Sequence, residues 1–265
     1  MNKHFKFFTI ILIFLSTSCH KDNPCDKLVN GVYVYPKIPE DHNWTPEQVD
    51  EYVNIPKDVL GCITTQGLIE STMNYPYLGL IYAGANPQSG YENLVKKRYR
   101  GLTELENRKY VAKYCLEKYT QMNPNDLNPN WTSLEKGKFM VDFFFFEVIY
   151  SQFIILEKLQ SDEKESLIEE IIIKYELKTG EYCSQYWDKY TALSGLIIPA
   201  RLMYMDSYPE FITLMESSQG VGEFTMFISP TFTIEEGGQI FAITKNYLNH
   251  LKIKNDETTN NICHN

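Results

Sequence analysis

From Trp44 to Lys254 the apolar residues recur every three to four positions, as in Leu102, Leu105, Tyr110, Val111, Tyr114, Cys115, Leu116 and Tyr119. That period places them on one face of a helix rather than on alternate faces of a strand. Helix starts punctuate the pattern. In Asn43-Trp44-Thr45-Pro46-Glu47-Gln48, Thr45 can cap, Pro46 takes the first helical position and Gln48 closes a capping box, with Trp44 opposite Val49 as a hydrophobic staple. Asn86-Pro87 opens a predicted helix over 87–98, and Thr132-Ser133-Leu134-Glu135 a long one over 133–159. Ser207-Tyr208-Pro209-Glu210 and Thr233-Ile234-Glu235-Glu236 have the same form. One stretch departs from it: residues 224–233 are β-rich around Pro230 and read as an extended crossover. The pattern predicts an all-α fold of eight to ten helices, arranged as antiparallel helix pairs in a compact α-bundle or a short α-α superhelix.

Residues 139–156 form the most apolar internal segment, yet they contain Asp142, Glu147, Ser151 and Gln152. An acid at the centre of a bilayer-spanning helix costs roughly 2.5–3.5 kcal/mol, so the segment reads as the central helix of a core. The N-terminus differs. Lys3 and Lys6 precede the short apolar run 7–15 and the small residues Ser16-Thr17-Ser18, the form of a secretory signal. Leu15-Ser16-Thr17-Ser18-Cys19 resembles the lipobox of bacterial lipoproteins, which implies cleavage before Cys19 and acylation of its thiol. Two or more acyl chains anchor a protein stably without spanning the bilayer. The expected organisation is a signal peptide at 1–18, an extended tether at 19–43, one helical domain at 44–254 and a polar tail at 255–265. The implied address is the bacterial outer membrane, and Cys19-His20-Lys21-Asp22-Asn23 leaves the periplasmic and cell-surface faces both open.

Charge narrows the partners. The chain has a net charge of −9, and removing Lys3 and Lys6 with the signal leaves 23 basic against 34 acidic residues, or −11. Such a chain is repelled by nucleic-acid phosphate, so no nucleic-acid partner is expected. Chemistry narrows further. No H-E-x-x-H, E-x-x-H, G-x-S-x-G, P-loop or G-x-G-x-x-G occurs, Gly220-Val221-Gly222 reads as a loop, and no cofactor is implied. Cys263-His264 supplies too few ligands for a structural zinc, so no metal site is expected either. Of the cysteines after Cys19, Cys62, Cys115 and Cys183 fall in apolar helical patterns as small buried residues, and a Cys25–Cys263 disulfide is one open pairing.

Two features carry candidate site residues. Glu147 lies among phenylalanines, and Arg201 lies in the equally apolar segment 197–203, so an ion pair between them across the core is the expected arrangement. Arg98, Arg100 and Arg108, beside Lys96, Lys97 and Lys109, form a basic patch that reads either as a solvated face or as a docking surface for an acidic protein or anionic glycan. Most of the 19 Tyr and 3 Trp keep core spacing, leaving Trp44, Trp131, Tyr208 and Trp187 as candidate loop aromatics.

Residues 65–70 (Thr-Gln-Gly-Leu-Ile-Glu) with Tyr75-Pro76, followed by residues 101–109 (Gly-Leu-Thr-Glu-Leu-Glu-Asn-Arg-Lys), resemble all-helical lipoproteins of Bacteroidetes with no assigned activity. The resemblance implies HEAT-like helix pairs in an exported protein and carries over no catalytic residue. The expected function is a lipid-anchored binding or scaffold module, in contact with the membrane through its lipid and with a protein or glycan partner. A hydrolase or lyase using paired carboxylates and a structural envelope subunit are the alternatives. A deep pocket with convergent acids distinguishes the first, and a large exposed apolar patch the second.

Overall fold

The computed structural model describes residues 23–180, 185–229 and 231–263, with side chains as far as 257. The expected signal, Cys19, Cys183 and the Cys263-His264 pair lie outside the residues or side chains described. The fold is all-α, built from packed helices. In chain order these are α1 (Pro46–Tyr52), α2 (Lys57–Leu60), α3 (Thr65–Met73), α4 (Pro87–Gly90), α5 (Arg100–Asn107), α6 (Val111–Gln121) and α7 (Ser133–Tyr150). They continue with α8 (Phe153–Leu156), α9 (Ser161–Thr179), α10 (Lys189–Leu193), α11 (Ile197–Met205), α12 (Pro209–Ser217), α13 (Gln219–Phe227) and α14 (Ile234–Cys263). Several are single turns, which is why the described residues hold more helices than the eight to ten expected.

Three of the predicted helix starts form capping boxes, that at Asn86 being an addition to those expected at Thr45 and Thr132. Thr45, Asn86 and Thr132 each accept the N–H three residues on, and Gln48, Ser89 and Glu135 return the bond. Trp44 rests on His42 and Tyr52, at centroid distances of 5.1 and 4.7 Å. The Asn86 helix is α-helical only to Gly90 and continues as a π-helical segment over Tyr91–Lys96. Ser207 does not cap α12: it takes a left-handed φ of 51° and turns the chain between α11 and α12.

The long helix expected over 133–159 ends at Tyr150. Ser151 Oγ and Gln152 Nε2 both donate to the Val148 carbonyl, satisfying it from side chains and letting the backbone bend before α8. Within α7 the core lies in the second half, where Phe143 through Tyr150 are all buried, while Leu134 is 83% exposed. The expected crossover at 224–233 is also corrected. Residues 219–227, including Gly220-Val221-Gly222, form α13, and only beyond Ile228, at a left-handed φ of 56°, does the chain leave the helix.

The final helix extends the fold past the expected tail. Along α14, Phe241 stacks on Tyr175 at 4.0 Å, Lys245 pairs with Glu176 at 2.9 Å and Lys252 with Glu169 at 2.6 Å. From Lys245–Glu176 through Lys252–Glu169 to Asn255–Glu165, numbers rise on α14 as they fall on α9, so the two are an antiparallel pair. Among the described residues no helix is long and apolar enough to cross a membrane.

The segment expected as a tether is, from Asn23 on, part of the body. Leu28–Val29 and Val32–Tyr33 pair as a small hairpin through Asn30-Gly31, both at positive φ, the conformation a tight two-residue hairpin turn requires. The hairpin seats directly on α3: a Cβ at Gly67 would collide with the Gly31 carbonyl, so only glycine fits there. Tyr33 N–H donates to Ser71 Oγ at 2.9 Å, and Tyr35 Oη donates to the Ser71 carbonyl. A Cys25–Cys62 disulfide, with Cα atoms 6.0 Å apart, closes the arm onto the turn after α2. This replaces the Cys25–Cys263 pairing and the reading of Cys62 as a passive hydrophobe. Cys115 is buried and free, as its spacing predicts.

Candidate functional site

Four stretches of chain meet at a cleft of about 550 Å³, the fourth being α10 with its flanks. Tyr82 comes from the turn between α3 and α4, Phe144 from α7, and Phe224 and Phe232 from α13 and the link to α14. The rings pair across it: Tyr82 stacks on Phe144 at 4.8 Å, and Phe224 meets Phe232 at 4.1 Å. At the mouth Tyr82 and Tyr190 stay 52% and 51% exposed. Large rings left half in water around a concavity are unspent binding surface.

The polar part of the wall is α10 and the turn after it. Asp188 caps α10, accepting from the N–H groups of Tyr190 and Thr191 through Oδ1 and from Thr191 Oγ1 through Oδ2. Burial, aided by the Asp188 charge, holds the Tyr82 phenol above its ordinary range, so it stays a neutral donor. Ser194, at the base, donates a hydrogen bond to Glu147 Oε2.

Glu147 is fully buried directly beneath. Its Oε1 accepts from Tyr119 Oη and from Lys178 Nζ, both at 2.7 Å. Lys178 is itself only 1% exposed, donates also to the Thr191 carbonyl at 3.2 Å, and lies 4.8 Å from the ring centres of Phe143 and Trp187. Burial lowers the Lys178 ammonium from its usual range, and the adjoining carboxylate opposes that shift. Burial, with the Glu147 charge adding to it, drives the Tyr119 phenol well above its ordinary value. Gly195 makes the approach possible, since a Cβ there would stand 3.0 Å from Glu147 Oε1 and 3.2 Å from the Tyr119 hydroxyl.

The Glu147–Arg201 pair expected from the sequence is therefore corrected: the cation at Glu147 is Lys178. Arg201 reaches α7 one turn further on, at Ser151. Its Nε donates to the Thr225 carbonyl at 2.8 Å, Nη1 to the Ser151 carbonyl at 3.1 Å, and Nη2 to Gln88 Oε1 at 2.7 Å and the Met226 carbonyl at 3.2 Å. Phe153 covers its face at 4.8 Å. Those backbone oxygens belong to the C-terminal ends of α7 and α13, where the helix dipole is negative, so two helix ends stand in for a carboxylate. Burial still pulls the guanidinium down to about 10.

The expected basic patch is mostly neutralised. Arg98 pairs with Asp50 at 3.1 Å and Arg100 with Glu51 at 2.8 Å, both acids on α1. Arg108 pairs with Glu104 at 2.6 Å and donates to the Leu60 carbonyl. Lys96 bridges Glu92 and the buried Glu106. None of these residues lines the cleft. The candidate loop aromatics are also packed: Trp187 is buried against Phe143, Trp131 tilts on Phe139 and Tyr208 on Tyr247. Among the described residues no group of His, Cys, Asp and Glu is placed to hold a metal ion. Compared with family models, known proteins and solved structures, the chain finds no match in any of the three.

Proposed function

We propose that the protein is a lipid-anchored binding module of the bacterial outer membrane, related to the helical lipoproteins that residues 65–109 resemble, and that its cleft holds a small, largely apolar molecule. One observation carries this reading: the cleft is walled by aromatic rings, while the Thr191 and Ser194 hydroxyls in its wall are already committed to the protein. Thr191 Oγ1 bonds to Asp188, and Ser194 Oγ to Glu147. A ligand therefore gains mainly from burying its own apolar surface, at about 25 cal/mol per Å². Among the described residues lining the cleft, Asp188 is the one carboxylate, and hydrolysis by paired acids needs two within reach of one bond. Binding is the better supported use of this geometry than catalysis, and a cleft supports it better than assembly through a broad apolar face.

Ala85 is exposed on the rim and allows a test that spares the core. Wild type is expected to bind the neutral apolar fluorophore N-phenylnaphthylamine saturably at one site. Ala85→Trp should weaken it at least tenfold, about 1.4 kcal/mol, by filling the cleft. Tyr82→Ala should weaken it by several-fold, and Ala85→Trp should leave the thermal midpoint unchanged. Equal binding by wild type and Ala85→Trp, or none by either, contradicts the proposal.

A further inference from the structure

A second concavity, of about 520 Å³, lies on another face, where the N-terminal turn of α6 meets the link before α9. Lys109, Lys113 and Lys158 line it, together with Tyr110, Tyr114 and Gln160, and Glu163 is the one acid in the lining. Elsewhere in the basic patch Lys96, Arg98, Arg100 and Arg108 are matched by acids and Lys97 is held by the Asn93 amide oxygen; here the ammonium groups are not matched. Among the described residues none of the three lysines has a carboxylate partner. Lys109 lies 4.9 Å from the centre of the Tyr110 ring, and Lys158 is fixed by the carbonyls of Glu106 and Arg108. Glu163 accepts the Gln160 N–H at 2.9 Å and keeps its negative charge, so three ammonium groups stand against one carboxylate.

Helix electrostatics do not explain this placement. Lys109 and Lys113 flank the start of α6, whose first turn carries no acid, and cations are disfavoured at that end of a helix. On a protein of net charge −9 a local excess of positive charge, held open rather than paired, suits an anion. The tyrosines refine the class. Tyr110 is 57% exposed and Tyr114 half-buried, giving apolar ring faces beside the ammonium groups. The concavity is far larger than a phosphate, and too enclosed for a flat protein surface.

We propose that this is a binding site for a carboxylated sugar, with the acid on Lys109 and Lys113 and the sugar's C–H face against the tyrosines. The site is independent of the aromatic cleft. Calorimetric titration of the mature protein with digalacturonate tests it, using the neutral digalactose, inorganic phosphate and a short polyglutamate as comparators. Digalacturonate should bind with an affinity that falls as salt is raised, because exposed charges are screened beyond about 8 Å at physiological ionic strength. Lys113→Gln and Lys109→Gln, both exposed and so neutral to folding, should each weaken it about tenfold, and digalactose should bind at least tenfold more weakly. Ala85→Trp should leave it unchanged, so failure here and failure of the cleft are separable. Absence of binding, equal binding of digalactose, or equal binding of phosphate or polyglutamate overturns the proposal.

Discussion

Glu147→Gln is expected to lower the unfolding free energy by about 3–5 kcal/mol, read from urea denaturation. The loss comes from what is left behind. Lys178 must either carry an unpaired charge or give up its proton in a site 1% exposed, with the carboxylate that stabilised it gone. Glu147→Leu combined with Lys178→Met should recover most of the loss, because replacing both members of a buried pair by apolar groups is often close to neutral. Ser194 can then turn its hydroxyl to the Thr191 carbonyl, 2.9 Å away. Tyr119 has no such substitute, so adding Tyr119→Phe should recover a further ~1–3 kcal/mol. A single variant within 1 kcal/mol of wild type, a small surface-like effect, would show that the buried network contributes little.

Arg201→Leu is the second large effect, expected at on the order of 3 kcal/mol or more. Removing the guanidinium orphans the Thr225, Met226 and Ser151 carbonyls, at roughly 1–3 kcal/mol for each buried group that finds no water, and leaves Gln88 Oε1 only the longer bond from Gln152. It also releases α4, α7 and α13 from one another, so the floor of the aromatic cleft should loosen with it. Arg201→Lys should not rescue, because a single ammonium cannot span acceptors on three helices as the planar fork does. Ser151→Ala should cost under about 1 kcal/mol, since the stronger bond runs to the Ser151 backbone. Denaturant midpoints for these three variants separate a guanidinium that staples the helices from one that merely fills space.

Some of this is legible in the sequence. The helical period and the caps at Thr45, Asn86 and Thr132 predict an all-α fold, because those signals are local: a side chain answers an N–H three residues away. The buried charges at 147 and 201 are visible too, as lone ionisable residues in apolar segments. Their partners are not. Lys178 occupies the stripe Leu167, Ile171, Lys174, Lys178 along α9, a spacing that puts it on the core face, yet a lysine on such a stripe reads equally as a solvated end. Choosing between Lys178 and Arg201 for Glu147 depends on how α7, α9 and α11 register in space, and one turn of α7 separates the two answers.

The corrections share a cause. Residues 224–227 have high β propensity, but Phe224 and Thr225 are buried in a helix whose terminal carbonyls Arg201 engages, and tertiary packing overrides local preference. The break of α7 at Ser151 carries no proline or glycine and arises from side chains competing for one carbonyl. The seating of residues 23–43 had a signal in Asn30-Gly31, a strong hairpin turn, but its dock on Gly67 is a long-range contact. The cleft was illegible for a simpler reason: its rings come from four separate stretches and each, taken alone, keeps core spacing.

The proposed place of the protein rests on the first nineteen residues, and mass spectrometry of the N-terminal peptide decides it. Full-length protein expressed in a bacterium with lipoprotein-processing enzymes should, when extracted from the membrane fraction, yield a peptide that begins at Cys19 and carries a thioether-linked diacylglyceryl group. Cys19→Ala should yield none. A peptide that still begins at Met1, or a Cys19 free of lipid, contradicts the anchor and with it the envelope role.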